Sequence, residues 1–145
     1  MNPVKGNLDY AGEHGQLFKF SIGAMLTKGD LCRGKIARNA TGIDADEASN
    51  ALNLGAVPAG KKLVAALHVF GVDSASDTLD ISIESDSADD FTGAETARLT
   101  FITQQGLGSQ MVELKGPVTD SFYRVNTAVG GVSPAFDYAV VIAIV

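Results

Sequence analysis

Lys62-Leu63-Val64-Ala65-Ala66-Leu67-His68-Val69-Phe70-Gly71-Val72 is apolar at nearly every position. After a turn at Ser74-Ala75-Ser76-Asp77, Leu79, Ile81 and Ile83 alternate with Asp80, Ser82 and Glu84. Successive side chains of an extended chain point to opposite faces. The second run therefore has one apolar and one polar face, the pattern of a half-buried strand. The first run is apolar on both faces. It predicts a central strand covered on both sides, or one whose inner face lies in a core and whose outer face meets another subunit. Val64, Ala66, His68 and Phe70 share one of its faces and are the candidate oligomer-interface residues.

Strand patterns continue outward from this pair. Downstream they cover residues 97–103, 110–115, 121–129 and 136–145, with turns at Gln104 to Ser109, Gly116 to Asp120 and Gly130-Gly131. Upstream they cover 51–54 and 17–22. Asp44 to Leu54 reads either as a helical turn capped by Asp44 with Glu47 three residues on, or as a loop leading into a short strand. Turn signals every 10 to 14 residues and about eight strands point to an all-β, antiparallel β-sandwich of jelly-roll-like form. The lack of long helical patterns excludes a parallel α/β sheet. Glycines at 6, 12, 15, 23, 29, 34 and 42 argue against helical packing in the first third. The expected organisation is one structural domain. Residues 1–50 form an irregular N-terminal arm with one or two strands, and residues 51–145 form the sandwich.

Composition narrows the function. The chain has 145 residues, 46% of them hydrophobic and 19% charged, which suits one globular core. The longest apolar run, Tyr138 to Val145, is far short of the roughly 18 residues of a membrane helix, and no secretory leader is visible. No membrane association is expected. The net charge of −6 argues against non-specific nucleic-acid binding. Charge is uneven: residues 1–62 carry eight Lys/Arg against six Asp/Glu, whereas residues 63–145 carry three against eleven. Lys28, Arg33, Lys35 and Arg38 form the one basic cluster. It reads either as a solvated loop or as a contact with an acidic partner surface.

Catalytic patterns are sparse. His14 and His68 stand far apart, and no GxSxG nucleophile motif accompanies them. His68 reads as a hydrogen-bonded core or interface histidine. Cys32, the single cysteine, allows no internal disulfide and reads as a small apolar residue. Asp86-Ser87-Ala88-Asp89-Asp90 has oxygen ligands for calcium but lacks the EF-hand glycine and terminal glutamate, so a solvated loop is favoured. Gly106-Leu107-Gly108 lacks the lysine and the helix of a phosphate loop. No enzyme activity, cofactor or metal is expected. The apolar stretch Ala139 to Val145 would aggregate as an open edge. It must pair centrally or be covered by another subunit. The strand at 62–72 makes the same demand, and a sandwich of 145 residues has little room for two strands buried on both faces, which predicts a homo-oligomer.

Four short segments carry a family resemblance. They are Leu52-Asn53-Leu54-Gly55-Ala56-Val57-Pro58-Ala59-Gly60, Ser87-Ala88-Asp89-Asp90-Phe91, Phe122-Tyr123-Arg124-Val125 and Ser133-Pro134-Ala135-Phe136. With the apolar strands that follow the first and the last, they resemble small virion proteins of tailed bacteriophages, the head decoration or cement proteins. The resemblance covers roughly the last two thirds of the chain. It implies a jelly-roll-like sandwich on the exterior of the capsid, with the major capsid protein and further copies of itself, as a homodimer or homotrimer, for partners. Lys28, Arg33, Lys35 and Arg38 are then the candidate capsid contacts. The alternative is a carbohydrate- or host-receptor-binding module of a phage tail or head fibre. The lack of tryptophan disfavours it.

Overall fold

The computed structural model describes residues 34–93 and 95–145. Nine strands run through them: β1 (Lys35–Ile43), β2 (Glu47–Ala48), β3 (Leu52–Asn53), β4 (Lys62–Val72), β5 (Thr78–Asp86), β6 (Thr96–Thr100), β7 (Gly108–Lys115), β8 (Phe122–Gly130) and β9 (Phe136–Ile144). There is no helix among the described residues. One sheet has the order β1-β9-β4-β7. The other has the order β2-β8-β5-β6, with β3 also paired to β8. Every pairing is antiparallel. The expected all-β antiparallel sandwich is the fold observed. Its pairings are nested along the chain: β1 with β9, β2 and β3 with β8, β4 with β7, β5 with β6.

Alternation explains the core. In β4 the side chains of Leu63, Ala65, Leu67 and Val69 are buried, and β9 adds Phe136, Tyr138, Val140 and Ile142. The other sheet supplies Leu79, Ile81 and Ile83 from β5 and Tyr123 and Val125 from β8. Each large side chain withdrawn from water in this way contributes about 1.5–3 kcal/mol before the cost of ordering it. The C-terminal apolar stretch is no open edge. β9 lies between β1 and β4, and Lys62 and Val145 exchange backbone hydrogen bonds of 2.9 Å in both directions.

The boundary expected at residue 51 moves. The sandwich already includes β1, an edge strand starting at Lys35 within the segment assigned to the arm. Period two fails there because the register with β9 shifts between Ile36 and Arg38 and again between Ala40 and Ile43. Each bulge moves the next side chain to the other face. Asp44 to Leu54 contains two short strands and no helical turn. Its polar side chains serve the sheet instead: Asp46 Oδ1 accepts from Val129 N at 2.9 Å, and Ser49 Oγ accepts from Val125 N at 2.9 Å. β6 stops at Thr100, sooner than its pattern suggested, because the Gln110 amide takes over the Ile102 backbone, with Ile102 N to Oε1 at 2.8 Å and Nε2 to Ile102 O at 2.7 Å. The strand expected at 17–22 lies outside the described residues, as do His14, Lys28, Cys32 and Arg33.

Candidate interaction face

The outer faces of the two sheets differ in chemistry. On β4 the four interface candidates all point away from the core. Val64 is half-buried, and Ala66, His68 and Phe70 are exposed. Strand register adds their neighbours. Val64 lies between Glu113 of β7 and Ala143 of β9, Ala66 between Met111 and Val141, and His68 between Ser109 and Ala139. Ile36 of β1 is opposite Val141. Three of the large apolar side chains on this face are open to solvent, Met111 at 74%, Ile36 at 68% and Phe70 at 44%. Small residues at its centre leave a shallow depression of about 410 Å³, lined in part by Ala66, His68, Met111, Ala139 and Val141.

His68 is not alone on this face. Its Nδ1 lies 2.5 Å from Ser109 Oγ, and its ring centroid is 6.1 Å from that of Phe70. The serine comes from a strand 41 residues away, so only the β4–β7 register could reveal the pair. The contact orients the imidazole across the sheet. Charges gather at the two ends of the face. At one end Lys62 Nζ holds both carboxylate oxygens of Glu113, at 2.8 and 3.0 Å, and Lys115 stands opposite Lys62. At the other end Asp137 lies over Gly71 and accepts from Gly42 N at 2.7 Å.

The second sheet turns a polar, ion-paired face outward. Arg124 Nε donates to Glu84 Oε2 at 2.8 Å, its Nη2 reaches Glu95 at 3.6 Å, and its guanidinium lies 4.4 Å from the centroid of the Phe91 ring. Asn126 Nδ2 takes the other Glu84 oxygen at 3.0 Å. Beside this group, Asp120 Oδ2 accepts from Ser85 Oγ at 2.6 Å and from Arg98 Nη2 at 2.9 Å. The Ser85 hydroxyl and the Arg98 guanidinium hold the Asp120 carboxyl below its ordinary value of 3.8. A shallow groove of about 270 Å³ on the same sheet is lined in part by Asp80, Ser82, Thr100 and Asn126.

Two of the basic candidates fall within the described residues. Lys35 Nζ donates to Asn53 O at 3.0 Å and is exposed. Arg38 is half-buried and ion-paired with Glu47, so it clamps β1 of one sheet to β2 of the other. Among the described residues no three His, Cys, Asp or Glu side chains group as metal ligands, the acidic loop after β5 included.

Three of the four segments that carry the family resemblance come together at one end of the sandwich. Leu54 N and Gly55 N both donate to Ser121 O at 3.1 Å, beside Phe122. Val57 and Val118 form an isolated bridge, and Gly116 N donates to Lys61 O at 2.8 Å. Phe91, from the acidic loop, lies under Arg124 of β8. β1 begins at the same end, where Lys35 meets Asn53. Compared with protein-family models, characterised proteins and solved structures, the chain matches none.

Proposed function

We propose that this chain is a structural virion protein, a capsid decoration or cement protein on the exterior of a tailed-phage head. We read the nested strand pairing as a jelly roll, an architecture that viral capsid proteins and lectins both use. The observation that carries the functional reading is the meeting of Leu52–Gly60, Ser87–Phe91 and Phe122–Val125 at one end of the sandwich. Residues far apart in sequence, the ones on which the resemblance rests, make one surface there, stiffened by Arg124, Phe91 and the Val57–Val118 bridge.

In this reading that end faces the shell. Lys35 stands there, and Lys28 and Arg33 precede it in the chain. They meet acidic groups of the major capsid protein. Arg38 plays a different part and holds the two sheets together through Glu47. Each contact is weak by itself. Repetition over the lattice and bridging between shell subunits supply the avidity. The role requires no catalytic group, no cofactor and no nucleic acid.

The test is cosedimentation of the purified chain with heads stripped of it. Saturable binding at a lattice stoichiometry, lost on changing Lys28, Arg33 and Lys35 to Glu, supports the reading. Absence of binding overturns it. The polar groove of Asp80, Ser82, Thr100 and Asn126 favours a second reading, a glycan- or receptor-binding module, because hydroxyl, amide and carboxylate groups converge there. Glycan binding that Asn126→Ala abolishes, with no head binding, would establish that reading instead.

A further inference from the structure

We infer that the outer face of the β1-β9-β4-β7 sheet is a two-fold contact between two copies of this chain. Four adjacent strands contribute apolar side chains to it, and Ile36, Phe70 and Met111 are the most exposed of the large ones. Small residues, Ala66 and Ala139, lie between these larger ones and form the depression. A two-fold contact sets one patch against the same patch of the second copy, and here the row of Ile36, Val141, Ala66 and Met111 would lie against its own counterpart, apolar on apolar.

Charge selects the orientation. The face is positive at one end, where Lys115 adds to the Lys62–Glu113 pair, and negative at the other, where Asp137 lies over Gly71. A two-fold axis crossing the strands at the row of Ala66 reverses strand direction between copies. It sets the lysine end of each copy against the Asp137 end of the other. It also brings Glu113 of one copy towards the His68–Ser109 pair of the other. The reverse choice, an axis along the strands, sets like charges together.

Size sets the strength. Four strands about 4.8 Å apart and about eight residues long at about 3.3 Å per residue give roughly 500 Å² per copy, about 1,000 Å² in all. Specific, stable interfaces bury about 1,200–2,000 Å². The contact is therefore weak in free solution, with a dissociation constant in the micromolar range or above. It does not depend on the capsid reading, and free protein suffices to test it.

The experiment is sedimentation velocity of the full chain from about 5 to about 500 µM. A monomer–dimer equilibrium is expected. Ala66→Glu and Met111→Glu should each weaken it at least tenfold, because each places a carboxylate in the buried centre. Both sites are solvent-exposed in the single chain, so thermal unfolding measured on dilute protein should stay unchanged. Ala128→Glu, exposed on β8 of the other sheet, should leave association as it was. A wild-type chain that stays monomeric at the highest concentration overturns the inference. So does a dimer indifferent to both substitutions, or a closed trimer.

Discussion

The hydroxyl of Tyr138 on β9 lies 2.6 Å from that of Thr127 on β8, a side-chain hydrogen bond joining the two sheets inside an apolar core. Tyr138 is fully buried and Thr127 is 2% exposed. A buried polar group left without its partner costs its full desolvation, whereas removing both partners costs far less. Tyr138→Phe should destabilise the sandwich by about 1–3 kcal/mol in urea unfolding. Thr127→Val in the same chain should restore part of that loss. Additive single effects would mean that the bond contributes nothing between the sheets.

Burial pushes the phenols of Tyr138 and Tyr123 above the ordinary value of 10.0. The folded state then retains protons that the unfolded state gives up. The associated stability is fully present below about pH 10 and is lost as pH rises through the folded-state values. Urea midpoints should hold between about pH 8 and 9.5 and fall steeply above 10, less so in Tyr138→Phe. A stability curve that stays flat to pH 11.5 would contradict this burial.

Asp120 has the opposite sign. Its lowered value means that the carboxylate is favoured in the folded chain, by the Ser85 hydroxyl first and by Arg98 second. That contribution is present above about 3.8, the unfolded value, and is lost as pH falls through the folded one. Asp120→Asn should lower stability at pH 7 by about 1 kcal/mol, since the pair is partly open to water. The variant's deficit should shrink below pH 3. Measuring the urea midpoint at pH 2.5, 4 and 7 for both chains decides it.

Arg124 reaches the loop after β5 at the Phe91 face and at Glu95, and is itself held by the Glu84 ion pair on β5. Phe91 has a left-handed backbone, φ 48°, and only its packing offsets that cost. Arg124→Lys keeps the charge but loses the planar fork and most of the stacking. Amide exchange at 87–93 should then quicken with little change in global stability. Arg124→Ala should also unfold more easily, by about 2–3 kcal/mol, because Glu84 is buried and keeps only Asn126. Unchanged exchange in both variants would remove Arg124 as the anchor of this end.

The sequence made some of this architecture legible and hid the rest for identifiable reasons. β4, β5, β8 and β9 carry their patterns openly, since a strand packed on a core must repeat every second residue. The same rule put Val64, Ala66, His68 and Phe70 on one face. β1 was not legible, because its two bulges break the period and its inward residues include the small Ala40. Met111, Val141 and Ile36 could join the β4 face only once strand order was known. Ser109 beside His68, Asp120 beside Arg98 and Phe91 beneath Arg124 are likewise products of register and loop geometry. No local pattern encodes them.

The most direct test of the virion reading is a count: copies of this chain per copy of the major shell protein, by quantitative mass spectrometry of virus particles purified from the chain's source. A decoration or cement role predicts a ratio near one, or another simple lattice fraction. A handful of copies per particle, or none, would contradict it.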